Sequence, residues 1–460
     1  MGEAVPKVVH LYEAQRKIYP REVSGRFNRW RVSAVAVLLG IFYGLPWLRW
    51  DNHQALLFDL PARKFHVFGL TFFPQDFFLL AWLLIIAALS LFFFTALAGR
   101  LWCGYACPQT VWTQMFVWME RLTEGTRQQR MKLDRALWTA RKLLRKSAKQ
   151  VLWIGFSLFT GYSFVGYFTP IHDLTRAVMD LSLGGWELFW VGFYGFATYG
   201  NAGHLREQVC KYMCPYARFQ GAMFDRDTLV IAYDATRGER RGSRPRNVAP
   251  RTRGLGDCID CTLCVQACPT GIDIRKGLQL ECIACAACID ACDSVMDQMH
   301  YPRGLIRYST LNAVERRPTR IWRPRIAIYG AALALLVSGF ALAVGMRQLM
   351  ELDVLRDRNA LYRTLGDGRI ENVYTVRIIN KDDAAHPIRL QATGLPADAE
   401  LDTDTAVLQV PAGAVMSAAL RVRVRAGSVS GSIGFEFIAT AQDGAALAAR
   451  SPARFFGPVP

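Results

Sequence analysis

The chain has 460 residues, a hydrophobic content of 52%, an aromatic content of 12% and a formal net charge of +17. This length exceeds that of one ordinary soluble domain, and the apolar residues are gathered in long blocks. Residues 351–460 contain 12 Lys and Arg against 13 Asp and Glu, so the basic excess lies earlier, beside the apolar blocks. Basic flanks of this kind set membrane orientation and attract lipid headgroups, which argues against a nucleic-acid-binding protein.

Five apolar blocks are predicted to span a membrane. In chain order they are Val32–Leu48, Phe77–Ala98, Val151–Thr169, Trp186–Asn201 and Ile326–Gly345. The second carries no charged residue and can cross about 30 Å of hydrocarbon, whereas Glu187 and several glycines interrupt the fourth. The first four spans form two out-and-back hairpins, and the odd total places the two ends of the chain on opposite sides of the membrane.

Eight cysteines lie in two runs with the same spacing, C-x2-C-x2-C-x3-C. The first run is Cys258, Cys261, Cys264 and Cys268, followed by Pro269, and the second is Cys282, Cys285, Cys288 and Cys292, followed by Asp293. Two such runs are typical of bacterial ferredoxins with two [4Fe–4S] clusters, in which the fourth cysteine of each run ligates the other cluster. This rule assigns one cluster to Cys258, Cys261, Cys264 and Cys292, and the other to Cys282, Cys285, Cys288 and Cys268.

Zinc sites and disulfide bonds are two other uses of closely spaced cysteines. A zinc site usually has two separated C-x2-C pairs, whereas each run here places three cysteines within seven residues. Disulfides need an oxidising compartment, and the basic flanks of the spans place this segment in the cytoplasm. Two [4Fe–4S] clusters are therefore the favoured interpretation.

The residues after the last span differ in character from the rest. Short runs of alternating polarity, such as NVYTVRII and ALRVRVRA, are separated by turn-forming sequences. This pattern predicts a small Ig-like β-sandwich, on the periplasmic side because the number of spans is odd. The sequence thus divides into a cytoplasmic tail (1–30), a membrane domain with four helices (31–224), a 2[4Fe–4S] ferredoxin insert (225–310), a basic linker with the fifth transmembrane helix (311–350) and the sandwich (351–460).

The other four cysteines form a repeated motif, CxxxCP. One copy after the second span has Cys103, Cys107 and Pro108, and the other after the fourth span has Cys210, Cys214 and Pro215, which indicates a duplicated two-helix hairpin. Residues four apart share a helix face and proline favours the start of a new helix, so both pairs are expected at helix breaks near the cytoplasmic interface. If the hairpins pack symmetrically, the four thiols converge near the clusters, where soft thiolates suit Cu(I) and thiol–disulfide exchange also moves electrons. The alternative is that they are small buried apolar side chains.

Three polar residues in or near the spans are weaker candidates. His204 precedes Cys210 by six residues and is either a nitrogen ligand or a hydrogen-bonded structural residue. His172 is expected on the periplasmic side, away from the clusters. Glu187 is either a proton or quinol contact within the fourth span or an interfacial residue at its end.

The combination of motifs resembles a known family, the FixG/CcoG/RdxA accessory proteins of cbb3-type cytochrome c oxidase, which are membrane-bound polyferredoxins. The resemblance rests on both CxxxCP motifs, on GDCIDCTLCVQACPTGIDIRKGLQLECIACAACIDACDSVM and on YPRGLIRYST after it. It covers most of the chain because it includes the five spans and the C-terminal sandwich. The membrane ferredoxins NapH and NosR also have the doubled motif but lack the sandwich, and Asp293 in place of proline is normal for the family that the chain resembles.

The resemblance implies an oxidoreductase that reduces Cu(II) to Cu(I) during oxidase assembly. Our mechanistic hypothesis is that electrons pass from a donor through the two clusters to a CxxxCP thiol site, where Cys103, Cys107, Cys210 and Cys214 bind copper or exchange electrons with it. The resemblance also implies a multi-pass protein of the bacterial inner membrane whose partners are copper ion, the oxidase assembly machinery and a copper transporter or chaperone. The electron donor is not specified, and the chain is compatible with a homodimer. Two alternatives stay open: a NapH-like quinol dehydrogenase that passes electrons to a redox partner, and an assembly scaffold with structural clusters.

Overall fold

The computed structural model describes residues 17–50, 53–246, 254–382, 384–403 and 407–458. It contains two compact units, of which one comprises Met1–Leu48 with Trp82–Val337 and the other comprises Arg49–Ala81 with Ser338–Pro460. The first unit holds all twelve cysteines, and the second holds the C-terminal sandwich.

Most of the helices belong to the first unit. In chain order they are α1 (Arg26–Gly44), α2 (Phe77–Ala98), α3 (Leu101–Tyr105), α4 (Pro108–Glu124), α5 (Arg127–Arg135), α6 (Ala140–Val165), α7 (Ile171–Met179), α8 (Gly185–Thr198), α9 (Pro215–Met223), α10 (Ala235–Gly238), α11 (Leu263–Ala267), α12 (Ala287–Met299), α13 (Leu311–Val314) and α14 (Pro324–Gly345). Two π-helical segments, Tyr199–Leu205 and Val209–Met213, lie between α8 and α9.

The first helix begins before residue 31, where the sequence analysis places the start of the membrane domain. α1 starts at Arg26 because Asp290 of α12 lies at its N-terminus. The carboxylate of Asp290 accepts hydrogen bonds from the backbone N–H groups of Phe27 (3.2 Å) and Asn28 (2.6 Å), which otherwise have no partner within the helix. The cysteine-rich insert is thereby attached to the start of a candidate membrane span.

Three helical stretches among the described residues are long and apolar enough to cross a membrane. They are Arg26–Trp47, Pro74–Ala98 and Pro324–Gly345, which correspond to the first, second and fifth predicted spans. The third predicted segment lies in α6, whose first turns carry Arg and Lys residues, and the fourth lies in α8, which has 14 residues. The chain is a membrane protein with apolar helices, and the count of five spans stays a prediction.

α6 and α8 pack against each other through glycines. A Cβ atom on Gly161 would lie 2.3 Å from the backbone oxygen of Val191, and one on Gly195 would lie 3.2 Å from the side chain of Leu158. Small residues permit this close approach of helices in membranes. On the outward faces, Phe196 exposes 75% of its side chain, as is expected for a surface that lipid covers.

The basic residues at the start of α6 are paired inside the protein. Lys146 and Lys149 each place Nζ 2.9 Å from Oε1 of Glu124, which is fully buried. Glu120 is also fully buried, and its Oε2 lies 2.9 Å from Arg206 and 3.2 Å from Arg130. Because an unpaired buried charge is costly, these pairs hold α4, α5, α6 and the residue that follows the first π-helical segment together.

The strands occur in both units. In chain order they are β1 (Arg49–Trp50), β2 (His53–Gln54), β3 (Leu56–Asp59), β4 (Lys64–Val67), β5 (Leu70–Phe72), β6 (Val230–Tyr233), β7 (Ile306–Ser309), β8 (Met350–Arg356), β9 (Arg363–Thr364), β10 (Ile370–Asn380), β11 (His386–Thr393), β12 (Glu400–Thr403), β13 (Val407–Val410), β14 (Val415–Val424), β15 (Ser432–Ala441) and β16 (Ala448–Phe456). β6 and β7 pair antiparallel, and the two runs of cysteines lie in the chain between them. This pairing joins the chain before the two runs of cysteines to the chain after them.

The C-terminal region is a β-sandwich of two antiparallel sheets. One sheet has the order β12-β14-β10-β8, with β9 also pairing with β10, and the other has the order β13-β11-β15-β16. Alternate residues of the long strands point inward, and Tyr374, Val376, Val422, Phe437 and Phe455 are almost fully buried between the sheets. The alternating runs predicted this arrangement.

The second unit also contains a part of the chain that the sequence treats as a simple loop. Residues 53–72 form short antiparallel strands. Lys381 of the sandwich is buried, with its Nζ 2.7 Å from Oδ1 of Asp76 and 2.6 Å from Oε1 of Glu351. The loop between the first two predicted spans is therefore part of the same compact unit as the sandwich.

Candidate iron–sulfur and thiol site

Two cavities in the ferredoxin insert are lined by cysteines. The first is lined by Cys258, Cys261, Cys264 and Cys292. The second is lined by Cys268, Cys282, Cys285 and Cys288, with Cys264 also at its wall. Each cavity therefore combines three cysteines of one run with the fourth cysteine of the other run, which is the arrangement that crossed ligation needs.

The loops around the cavities repeat the same backbone conformation. Asp260 and Thr262 flank Cys261 with φ values of 56° and 57°, and Ala284 and Ala286 flank Cys285 with φ values of 54° and 59°. Left-handed residues next to right-handed ones turn successive backbone N–H groups toward a common concavity, which suits anionic sulfur. The equal spacing of the two runs thus produces two equivalent cradles.

The chemistry of these cysteines fits [4Fe–4S] clusters. Burial raises the pKa of Cys264 to about 11 and that of Cys282 to about 12, so thiolates there need a cationic partner. Within the described residues, no three His, Cys, Asp or Glu side chains converge closely enough to hold a single metal ion. Four thiols spread around a cavity suit a multi-atom cluster better than one zinc ion.

Both CxxxCP motifs lie at helix breaks, as the prolines predict. Pro108 is the first residue of α4 and Pro215 is the first residue of α9, with Cys107 and Cys214 as the preceding caps. Cys103 lies in the short helix α3, and Cys210 lies in the second π-helical segment. The helix ends between the two cysteines of each pair, so their placement depends on the turn and not on one continuous helix face.

The four CxxxCP cysteines lie close enough to influence one another. Burial, and then the neighbouring thiol of Cys107, raise the pKa of Cys103 to about 11. Burial, and then the thiols of Cys107, Cys103 and Cys214, raise the pKa of Cys210 to about 12. The Sγ atom of Cys103 also lies 3.5 Å from Oε1 of Gln220 in α9, which follows the second motif. The structure thus brings the two motifs together.

The first motif also packs directly on the second cluster cavity. Cys103 contacts a buried apolar group that includes Ile283 and Cys285. A Cβ atom on Gly104 would lie 2.8 Å from the backbone oxygen of Ile283, so only glycine fits between these backbones. Arg100 strengthens the same contact, because its guanidinium donates hydrogen bonds to the backbone oxygens of Leu280 and Ala217. Cys103 therefore lies against residues that also form the wall of the second cavity.

The three weaker candidates have structural surroundings. His204 packs edge-on against Tyr199 and Trp153, with ring centroids 5.0 and 5.9 Å away. His172 packs edge-on against Trp47. Glu187 lies in the first turn of α8, where a carboxylate complements the positive end of the helix dipole. These contacts favour the structural interpretation of all three.

Sequence reasoning missed the residues that join the motifs to the insert. Gln220, Gly104 and Asp290 are buried at these contacts. A glycine within the first CxxxCP motif was a usable signal, since the equivalent position of the second motif is Lys211. For Gln220 and Asp290, nothing in the local sequence indicates a partner so distant along the chain.

Three regions of the chain match models of known protein families. Residues 205–311 match the model of a 4Fe-4S dicluster domain, and residues 80–124, which contain the first CxxxCP motif, match that of a 4Fe-4S binding domain. Residues 340–458 match the model described as the IG-like fold at the C-terminal of FixG. The fold and the site therefore define a membrane-bound iron–sulfur electron-transfer protein with two [4Fe–4S] clusters and a C-terminal Ig-like domain.

Relatives of similar length identify the family. The chain is 39% identical over 426 residues to the nitrogen fixation protein FixG of Rhizobium meliloti, covering 84% of this chain and 81% of that protein. It is 40% identical to the protein RdxA of Cereibacter sphaeroides, covering 90% of each chain, and 42% identical to the protein RdxB of the same organism, covering 88% of each. The chain belongs to the FixG/RdxA family.

Proposed function

We propose that this protein reduces Cu(II) to Cu(I) at the CxxxCP thiols, and that the product serves the assembly of a cbb3-type cytochrome c oxidase. The observation that carries the proposal is the contact between the first motif and the second cluster cavity. Cys103 packs on the group that contains Cys285, and Gly104 meets the backbone of Ile283. A reductase needs its electron source and its substrate site to be adjacent, and this contact supports the proposal because it joins one motif to a predicted cluster site.

The residues of the proposed site suit copper in its reduced state. Bound [4Fe–4S] clusters accept and release single electrons, and reduction of Cu(II) needs one electron. Thiolate sulfur is soft and favours Cu(I), so a pair of CxxxCP cysteines stabilises the product of the reaction.

The proposed orientation places the thiol site and the ferredoxin insert at the cytoplasmic face of a bacterial inner membrane. Five spans would put the N-terminus in the cytoplasm and the sandwich in the periplasm. The exposed apolar faces of α6 and α8, such as Val151 at 69% and Trp186 at 74%, support two spans beyond the three that length and composition mark. The expected partners are a copper transporter or chaperone and the assembling oxidase.

A cupric-reduction assay tests the proposal directly. Purified protein in lipid nanodiscs, with its clusters reconstituted, would be reduced and then mixed with Cu(II) and a chelator that colours on binding Cu(I). The variant with all four cysteines Cys103, Cys107, Cys210 and Cys214 changed to Ala is expected to lose most of the rate. Iron and acid-labile sulfide measured in the same samples show whether the clusters are retained.

Two further variants separate the motifs. C103A/C107A removes the pair next to the second cavity, and C210A/C214A removes the other pair. The first is expected to slow reduction more, because Cys103 makes the contact with the cavity wall. A four-cysteine variant that keeps its iron and reduces Cu(II) at the wild-type rate would remove these thiols from the function.

A further inference from the structure

A cavity of about 510 Å³ lies beside the thiol site in the first unit. Its walls come from the residues before α1, the first turns of α1, one side of α4, the segment after α8 and the ferredoxin insert. A volume of this size suits a small organic ligand. Copper reduction at the thiols makes no use of it.

One face of α4 forms a wall whose polarity changes along the helix. Thr113, Gln114, Val117 and Trp118 all line the cavity. Their spacing places them on one side of a helix, with polar groups nearer its start and apolar ones further on, before Arg121, whose charge is paired with Glu22. Trp118 exposes 51% of its side chain. The ligand that fits this wall has a polar ring and an apolar tail.

The opposite wall belongs to the second cluster site. Cys285, Ile283 and Ala287 line the cavity, and so does Cys210 of the second CxxxCP motif. Arg31 of α1 also lines it. A ligand in this cavity would therefore touch a predicted cluster ligand on one side and a CxxxCP thiol on another.

The cavity lies at the end of a candidate membrane span. Val32, in the second turn of α1, lines the cavity and exposes 53% of its side chain. α1 is part of the helical stretch Arg26–Trp47, which is apolar enough to cross a membrane. A ligand dissolved in the membrane would reach the cavity at this level of the span.

We propose that this cavity binds a membrane hydroquinone, which donates the electrons for the Cu(II) reduction proposed above. The donor role, unlike the binding, rests on that proposed function. One hydroquinone becomes a quinone by releasing two electrons and two protons, and two Cu(II) ions take one electron each to become two Cu(I) ions. The amide of Gln114 and the hydroxyl of Thr113 are positioned to hydrogen-bond the ring oxygens. Both protons leave to bulk water, and Glu207, which also lines the cavity, offers a carboxylate that can relay them one at a time.

Photolabelling tests binding without relying on activity. The protein in nanodiscs would be illuminated with a short-chain azidoubiquinone in the absence of copper, and the labelled peptides identified by mass spectrometry. Label is expected on residues 109–121 of α4 and on residues 18–32, and unlabelled ubiquinone should displace it. Label that is confined to lipid-facing residues, or that phospholipid displaces and ubiquinone does not, would overturn the proposal.

Matched tryptophan substitutions on α4 locate the site. Val117→Trp fills the cavity and should lower labelling of α4 about tenfold, a loss equal to about 1.4 kcal/mol of binding free energy. Leu122→Trp, on the same helix but 67% exposed and outside the cavity lining, should label as the wild type does. Gln114→Leu gives a second variant with little change in volume and should also label weakly. Equal labelling of all four proteins would contradict the assignment.

The two proposals fail in different ways. If labelling behaves as expected but the chemically reduced protein does not reduce Cu(II), the cavity assignment stands and the copper function falls. If the reduced protein reduces Cu(II) but Val117→Trp and the wild type label equally, the copper function stands and the cavity assignment falls.

Discussion

The thiol of Cys103 donates to the side-chain oxygen of Gln220, with 3.5 Å between Sγ and Oε1. These residues are 117 positions apart, and Gln220 is fully buried in the helix that follows the second CxxxCP motif. The contact therefore joins the two motifs at one point. It also fixes the orientation of the cysteine that packs on the second cluster cavity.

Gln220→Leu should weaken this orientation without emptying the core. The change keeps most of the volume but removes the acceptor for Cys103, and a typical buried hydrogen bond is worth about 1 kcal/mol. We expect slower Cu(II) reduction with an unchanged iron content. Gln409→Leu, the same substitution at an exposed position of the sandwich, serves as the control and should have no effect. A variant as fast as the wild type would show that the hydrogen bond is dispensable.

Gly104→Ala should separate the thiol site from the second cluster cavity. The added Cβ would lie 2.8 Å from the backbone oxygen of Ile283, which cannot move as a flexible side chain can. Overpacking of this kind costs about 1–3 kcal/mol. We expect a lower Cu(II) reduction rate and a lower thermal midpoint. Gly155→Ala in α6, where no atom lies within 4 Å of the new Cβ, should change neither quantity.

Paired cysteine substitutions distinguish crossed from uncrossed ligation. Cys258 and Cys292 line the same cavity, although they belong to different runs. C258S/C292S should therefore lose one cluster and keep about half of the iron, because each cluster has its own four ligands. C258S/C268S should damage both clusters. Iron quantitation and EPR spectra of the reduced proteins give the answer, and the reverse result would show that each run binds its own cluster.

Asp290→Ala should loosen the ferredoxin insert from the first helix. The carboxylate accepts hydrogen bonds from the N–H groups of Phe27 and Asn28, and loss of a helix cap costs about 0.5–2 kcal/mol. Hydrogen exchange at the start of α1 should accelerate. Asp297→Ala, which breaks an exposed pair with Arg303, should leave α1 unchanged. Equal exchange in both variants would contradict the capping role.

The stability of the sandwich should depend on the protonation of His386. Its Nδ1 lies 2.6 Å from Asp443 and its Nε2 lies 2.8 Å from Asp382, and these hydrogen bonds raise the pKa of His386. The stabilisation is complete below the unfolded pKa of about 6.5 and is lost as pH rises through the higher folded pKa. Pulse proteolysis in urea should therefore show a lower midpoint for the sandwich at pH 9 than at pH 6. His386→Asn should abolish most of this difference.

Much of the fold follows from patterns that are local in the sequence. The repeated spacing of Cys258 to Cys268 and of Cys282 to Cys292 indicated two cluster sites, and alternating runs indicated the sandwich. The prolines after Cys107 and Cys214 marked helix starts, which the structure has at Pro108 and Pro215. Membrane spans were harder to predict in the α6 and α8 regions, because α6 begins with basic residues and α8 is short.

The contacts between segments that are distant in the chain could not be predicted from local sequence patterns. The position of Gly104 against Ile283, the cap that Asp290 provides for α1, and the pairing of Lys381 with Asp76 each join residues far apart in the chain. The last of these makes residues 49–81 part of the sandwich unit, although the sequence presents them only as a loop between spans.

The sequence by itself determined the class of the protein, because cluster ligation depends on short spacings between cysteines and membrane insertion depends on the length and polarity of single segments. Only the tertiary structure decided that Cys103 lies against the wall of the second cluster cavity and that a larger cavity, lined in part by Cys210, opens beside it. Such contacts depend on how the helices pack, and helix packing depends on side chains from many segments at once.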